Sequence, residues 1–268
     1  MFSRRTGLAI LFAIIILLFV SLIFIPRIPQ PLAYHDFADQ RYWLGIPNFG
    51  NVVSNLPFAI FGAMGLPFLS RRDSASAFLD RREHWPYFFV FLGLFLTAFG
   101  SAYYHWHPSN ATLLWDRLPM TVAFMSIIAA LIAERISVRA ALIALAPLLI
   151  LGAASPIQWY LSELHGQGDL RFYAAVQACA VFMLPLFLVL FPARYTRSSD
   201  LAIVAVFYVL AKLLETFDGQ VFSICHLVSG HTLKHLAASL SGHFILRMLH
   251  LRHPLASSTA SKSSKSVC

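Results

Sequence analysis

Two histidines near the C-terminal end of the chain have the spacing of a helical metal-ligand pair. His231 and His235 are four residues apart, at the start of an apolar segment that continues to about Leu251. Residues four apart lie on the same face of an α-helix, so both imidazoles would point the same way. Two such imidazoles are suitable ligands for zinc, but further ligands must come from elsewhere in the chain.

Three more residues could complete a catalytic centre. Ser101 and His105 are also four apart, near the end of one apolar segment, and Asp116 is near the start of the next. Three histidines and a water molecule form a catalytic zinc set with one open position. A carboxylate beside that water can accept its proton, and a serine hydroxyl can stabilise an oxyanion or orient the water. We therefore predict a zinc hydrolase with metal ligands His105, His231 and His235 and catalytic residues Asp116 and Ser101.

The composition is that of an integral membrane protein. Hydrophobic residues make up 58% of the 268 residues and charged residues only 12%, and the mean hydropathy is +0.69. In a soluble domain about a quarter of the residues are charged. The formal net charge of +8 suits basic cytoplasmic loops, so nucleic acid is not expected as a partner. The three cysteines have no paired spacing and give no evidence on disulfides.

Eight apolar segments are long enough to cross a bilayer as helices. They lie at about 7–26, 49–70, 86–104, 113–133, 139–155, 171–192, 200–217 and 229–251. We predict an all-α polytopic membrane bundle, with an N-terminal anchor at 1–26, a seven-helix catalytic domain at 27–253 and a disordered tail at 254–268. The first segment could instead be a cleaved signal peptide, although it is longer than a typical signal core and no clear cleavage site follows.

Basic residues outside the apolar segments define an orientation. With the N-terminus in the cytoplasm, the inner segments contain Arg4, Arg5, Arg71, Arg72, Arg81, Arg82, Arg135, Arg139, Arg194, Arg197, Arg252, Lys262 and Lys265. The outer loops contain only Arg27 and Arg41. By the positive-inside rule both termini are then cytoplasmic. We therefore predict a multi-pass integral membrane protein whose active site opens toward the outer, periplasmic or lumenal, face.

The chain resembles the alkaline ceramidase family at these candidate residues. The matching pattern is S-x₃-H at Ser101 and His105, the later Asp116, and H-x₃-H at His231 and His235. The family belongs to a wider superfamily of seven-helix membrane hydrolases that share this pattern. The stretch Pro-Asn-Phe-Gly-Asn-Val-Val-Ser-Asn at 47–55 is also similar to the family's first core helix, and the resemblance covers roughly 36–251.

The resemblance implies that the protein hydrolyses the N-acyl bond of ceramide or of a ceramide-like lipid. In that case the three histidines hold zinc, Asp116 acts on the water and Ser101 assists. The implied partners are a lipid amide substrate and the surrounding membrane lipids, with no obligate protein partner. The ceramide assignment comes from the resemblance, whereas metal-assisted hydrolysis also follows from the residue types.

The resemblance also implies a calcium site in the segment before the first core helix. Asp36, Asp39 and Asn48, with the Phe37 carbonyl, occupy positions comparable to the family's ligands. Arg41 stands where an oxygen ligand is expected, and Asn48 replaces a carboxylate. Calcium prefers about six to eight oxygen ligands and several negative charges. Two alternatives therefore remain open: Ca²⁺ bound through Asp36, Asp39 and Asn48, or an Asp–Arg pair that holds the segment without metal.

Two further polar groups lie close to the candidate ligands in this topology. Lys212, Glu215 and Asp218 are near the outer end of the segment at 200–217. Glu215 or Asp218 could accept the second N–H of a metal-bound imidazole, or the group could be a self-neutralising structural cluster. The other group shares one helical face and is expected mainly to hydrogen-bond between helices. It comprises Asn51, Ser54 and Asn55.

Two other classes of protein could use the same histidines. A seven-helix receptor or lipid-sensing protein could hold a metal for structure alone, and a b-type haem protein could use histidines from two helices as axial ligands. Turnover of a substrate would exclude the first class, and a visible spectrum would reveal the second. Asp116 and Ser101 in the same layer favour hydrolysis over haem binding.

Overall fold

The computed structural model of the protein describes residues 3–71 and 76–255. Within these ranges the regular structure is helical and contains no β-strand, so the predicted all-α class is confirmed. The α-helices are α1 (Arg4–Phe24), α2 (Phe49–Val53), α3 (Leu56–Ser70), α4 (His84–Trp106), α5 (Asn110–Arg135), α6 (Val138–Leu164), α7 (Arg171–Leu190), α8 (Ser198–Thr216), α9 (Asp218–Cys225) and α10 (Gly230–Leu251). Of the predicted tail at 254–268, only positions 254 and 255 fall among the described residues.

Six stretches of the described residues are long and apolar enough to cross a membrane. They correspond to α1, to α2 and α3 together, to α4 with the turn before it, and to α5, α6 and α7. These stretches match the first six predicted spans and support a membrane location. The seventh and eighth predicted spans, α8 and α10, are helical as expected but are not among the six. Polar residues reduce the hydropathy of α10 in particular, which contains four histidines, Lys234 and Arg247.

Successive long helices are antiparallel neighbours in a bundle. α4 packs against α3 and α5, α5 also packs against α6, and α8 packs against α10. This alternation brings the C-terminal end of α4 and the N-terminal ends of α2, α5 and α10 together at what we call the site end. A Cβ added at Gly100 would lie 2.1 Å from the carbonyl oxygen of Trp115, so glycine is required for α4 and α5 to approach so closely. This close contact places Ser101 beside Asp116.

The first core helix is interrupted between α2 and α3. Pro57 lies in the first turn of α3, and proline has no N–H and collides with a helical backbone that precedes it. The chain therefore breaks at Ser54 and Asn55 and starts a new helix. The break turns the Ser54 side chain toward α10, where it meets His235.

A buried ion pair and an apolar core hold the end of the bundle opposite the site end. The guanidinium of Arg252, just after α10, pairs with the Glu134 carboxylate near the end of α5. The hydroxyl of Tyr87 donates to the same carboxylate, and the Tyr195 ring centroid is 4.2 Å from the guanidinium carbon. Since three long helices meet at this group, it fixes their relative positions far from the site end.

The N-terminal helix α1 packs against α7 and is exposed over most of its length. Gly7 and Leu11 are buried, and a Cβ at Gly7 would lie 3.0 Å from the Phe191 ring. The helix therefore contacts the rest of the bundle through one narrow side. Its role as an anchor separate from the catalytic domain stays a prediction.

Candidate metal centre

Three histidines come together at the site end. His105 lies in the last turn of α4, and His231 and His235 lie in the first two turns of α10. The centroid of the His105 ring is 4.8 Å from the centroid of each of the other two rings. Their ligand nitrogens all lie within 4.8 Å of one another, and no other such group of three histidines, cysteines or carboxylates occurs in the described residues. The structure thus brings together the three side chains that the sequence analysis proposed as ligands, and metal binding by them stays a prediction.

The start of α10 is fixed so that both of its histidines face this place. The Ser229 hydroxyl caps the helix by accepting from the backbone N–H of Thr232, and Asp218 Oδ1 accepts from the backbone N–H of His231 at 2.7 Å. A Cβ added at Gly230 would lie 2.2 Å from the carbonyl oxygen of Leu214. Glycine at this position therefore lets the first turn of α10 lie directly against the end of α8.

The surroundings of two of the three imidazoles, His235 and His105, fit a metal ligand set. Nδ1 of His235 lies 2.8 Å from the Ser54 hydroxyl, so a proton on Nδ1 leaves the Nε2 lone pair free. Both ring nitrogens of His105 are buried and have no hydrogen-bond partner among the described residues. Buried polar atoms almost always have a partner, and a metal ion would provide one here. Three clustered imidazoles suit a divalent first-row metal such as zinc.

The histidines are shielded from solvent by an aromatic side chain. His105, His231 and His235 are 0%, 4% and 3% exposed. The Phe37 ring centroid lies 4.6 Å from that of His105 and 5.0 Å from that of His231. The backbone N–H of the next residue, Ala38, donates to Asp218 Oδ2 at 3.0 Å. The segment before α2 therefore covers the cluster, a contact that the sequence analysis did not predict.

The predicted catalytic pair lies in the same part of the bundle. Ser101 on α4 and Asp116 on α5 are both buried, and their side chains are neighbours. Asp116 does not belong to the three-residue ligand cluster. Its role as a base stays a prediction.

In the described part of the chain, neither carboxylate of the charged group near the end of α8 contacts an imidazole. Glu215 accepts from both Lys212 and Lys234, and from the Tyr34 hydroxyl at 3.1 Å. Asp218 accepts two backbone N–H groups rather than an imidazole N–H. The imidazole contact comes instead from Ser54, which the sequence analysis had assigned mainly to contacts between helices.

The residues expected to bind calcium are engaged in other contacts. Asp39 Oδ1 and Oδ2 each accept from the Arg41 guanidinium at 2.7 Å, and Asp36 accepts from the side chain of Gln40. The Asn48 amide nitrogen donates to a backbone carbonyl in α4 at 2.8 Å. Burial raises the pKa of Asp39, but the hydrogen bonds and charge of Arg41 outweigh burial and lower it. The Asp–Arg pair is therefore present, and calcium binding stays a prediction.

The Asp–Arg pair also connects two segments at the site end. The Arg41 guanidinium donates to the Leu227 carbonyl at 2.6 Å and lies 5.4 Å from the Phe222 ring centroid. A cavity of about 520 Å³ lies beside it and is lined by Tyr42, Trp43 and Thr232 among others. Arg41 thereby ties the segment that covers the histidines to the segment between α9 and α10.

Comparison with protein-family models gave no match, and comparison with curated proteins gave none either. The resemblance to the alkaline ceramidase family therefore rests only on the motif residues and their spacing, and membership stays a prediction. Because a helical bundle can support many activities, the function must be argued from the geometry of the site.

Proposed function

We propose that the chain is a zinc-dependent membrane hydrolase that cleaves the amide bond of ceramide or of a ceramide-like lipid. The observation that carries this proposal is the buried cluster of three histidines, one of which has no hydrogen-bond partner at either ring nitrogen within residues 3–71 and 76–255. A buried aspartate–serine pair in the same part of the bundle adds an acid–base group and a hydroxyl. The lipid amide substrate is supported by the resemblance of these motif residues to the alkaline ceramidase family.

Each of these residues has a defined task in amide hydrolysis. Zinc bound to the three histidines would supply a Lewis acid that activates water for attack at neutral pH. Asp116 would take a proton from the attacking water and deliver it to the nitrogen of the leaving amine as the C–N bond breaks. Ser101 would orient the Asp116 carboxylate or donate to the oxygen that becomes negative. Ser54 would hold the His235 ring in the orientation for ligation.

The same proposal includes a seven-helix core and an orientation. α8 and α10 would complete the core, because α10 packs along α8 and contacts α3 and α4. Arginines concentrate at the end of the bundle opposite the histidines, which supports cytoplasmic termini and a metal centre at the outer face. A reporter in the loop between α6 and α7 should then be outside, and one fused after the last residue should be cytoplasmic. The opposite labelling would overturn this orientation.

The geometry favours hydrolysis over the other two classes. A structural metal site in a receptor needs no buried carboxylate beside it, whereas Asp116 is buried in an apolar bundle at a cost that a catalytic role explains. Ligation of a b-type haem by two histidines requires imidazoles that face each other across a flat ring. The three imidazoles here instead converge on one point at mutual tilts of 62° to 86°.

A lipid-amide hydrolysis screen tests the proposal. Purified protein would be loaded with zinc and incubated in detergent micelles with N-acyl sphingoid bases and with matched N-acyl lipids that have other head groups. We expect zinc-dependent release of fatty acid from at least one amide, and loss of that release when a chelator removes the metal. A protein that holds zinc but releases no fatty acid from any lipid amide would contradict the proposal and favour a receptor-like role.

A further inference from the structure

A lysine lies inside the metal centre, and the chemistry described so far gives it no role. Lys234 occupies the position directly before His235 in α10. Its Nζ lies 3.1 Å from Nε2 of His231 and donates to Glu215 Oε1 at 2.6 Å. The Lys234 side chain is only 15% exposed. An ammonium group therefore lies within hydrogen-bonding distance of a nitrogen that belongs to the proposed ligand set.

The surroundings of Lys234 hold its ammonium in place. Glu215 is shared with a second lysine, Lys212, and also accepts from the Tyr34 hydroxyl. One carboxylate thus accepts from two ammonium groups. Lys212 lies on the other side of Glu215 and is 48% exposed. Of the two lysines, Lys234 alone contacts a histidine of the cluster.

A positive charge in this position opposes metal binding but favours an anionic transition state. Two like charges repel strongly at short range in a buried site, so the ammonium weakens the hold of the histidines on a divalent cation. A neutral amide substrate gains little from the ammonium in the ground state. Its carbonyl oxygen becomes negative during attack, and a fixed cation then stabilises it.

We propose that Lys234 is a catalytic residue that stabilises the carbonyl oxygen of the scissile amide, an inference that rests on the proposed hydrolase function. As the water oxygen bonds to the carbonyl carbon, the π electron pair of the C=O bond moves onto the carbonyl oxygen. Lys234 donates a hydrogen bond to that oxygen and keeps its proton. The electron pair returns to form the C=O bond of the acid as the C–N bond breaks. The amine leaves with the proton that Asp116 took from the water.

The substitution Lys234→Met gives this role a distinctive signature. Removal of the ammonium should strengthen zinc binding by at least about tenfold, measured by competition with a chromophoric chelator. Turnover of the zinc-loaded protein should fall by about 10²–10³-fold in kcat, with KM nearly unchanged, because the charge acts in the transition state. Lys212→Met is the matched control, since this lysine bonds to the same carboxylate but does not touch a histidine. It should leave both quantities close to those of the unaltered protein.

The outcomes separate this inference from the proposed function. If the unaltered protein hydrolyses no lipid amide, the proposed function fails. If the unaltered protein is active and the Lys234→Met variant is equally active, only this inference is overturned. A variant in which zinc affinity and kcat fall together would show that Lys234 only supports the fold, which also overturns it. Should Lys234→Met not fold, Lys234→Gln keeps a hydrogen bond to Glu215 and is expected to show the same tighter zinc and slower turnover.

Discussion

Replacement of Asp116 by asparagine tests the chemistry separately from the architecture. Asp116 is buried on α5, and its side chain is a neighbour of Ser101. Asparagine has nearly the same shape and can still accept from the serine hydroxyl, but it cannot take a proton from water. A general base typically contributes about 10²–10⁴-fold to the rate, which corresponds to about 2.7–5.4 kcal/mol of transition-state stabilisation. We therefore expect kcat to fall by two to four orders of magnitude on this scale.

The assay would measure zinc content and single-turnover hydrolysis on the same preparations. Zinc content should survive in Asp116→Asn, because Asp116 is not part of the three-histidine cluster. Asp200→Asn is a matched control, since Asp200 is also buried but lies in the first turn of α8 at the opposite end of the bundle. It should keep the turnover per bound zinc. An Asp116→Asn variant that retains full activity would refute the base, and one that loses zinc would identify Asp116 as a ligand.

Three other changes have defined outcomes. Ser54→Ala removes the hydrogen bond to His235 and should weaken zinc binding by about 10–100-fold in a chelator competition. An unchanged zinc affinity would mean that the hydroxyl does not orient the ring. Arg41→Met should lower the thermal stability at neutral pH by no more than about 1 kcal/mol. The difference in stability between the two proteins should shrink as the pH falls below 3.8 and then through the lowered pKa of Asp39, because the paired carboxylate stabilises the fold only while it is ionised. A difference that stays constant with pH would contradict the pairing. Arg252→Met leaves a buried carboxylate unpaired and should destabilise the protein by about 3–5 kcal/mol in thermal unfolding, whereas an unchanged melting temperature would show that the pair is dispensable.

The helices and the histidine cluster were predictable from the sequence because simple physical rules determine them. The bilayer requires long apolar segments, and six of these appear among the described residues, in the helices α1 to α7. The spacing of four residues places His231 and His235 on one face of α10. The alternation of the helices then brings His105 to the same end of the bundle. Whether α8 and α10 cross the membrane was less predictable, because the polar residues that lie at the site end reduce the hydropathy of both helices.

The residues around the cluster were less predictable because their partners come from distant parts of the chain. Phe37 lies in an irregular segment, where no periodicity indicates the direction of its ring. Ser54 was expected to hydrogen-bond between helices, but its partner could not be read from the sequence. The helix break before Pro57 turns Ser54 toward α10, where the partner is the imidazole of His235. Lys234 could have been singled out from the sequence, because a lysine in a predicted membrane-spanning segment is costly unless it has a function. Its contact with Glu215 required knowledge of how α8 and α10 pack.

Zinc stoichiometry in matched histidine variants tests the central claim most directly. The unaltered protein, a variant with His105, His231 and His235 all replaced by alanine, and a His243→Ala control would be purified, loaded with zinc, dialysed and analysed by mass spectrometry. His243 lies on the same helix α10, two turns beyond the cluster, and its ring contacts Phe61 instead. We predict about one zinc ion per chain in the unaltered protein and in the control, and almost none in the triple variant. Full zinc occupancy in the triple variant would contradict the proposed metal centre.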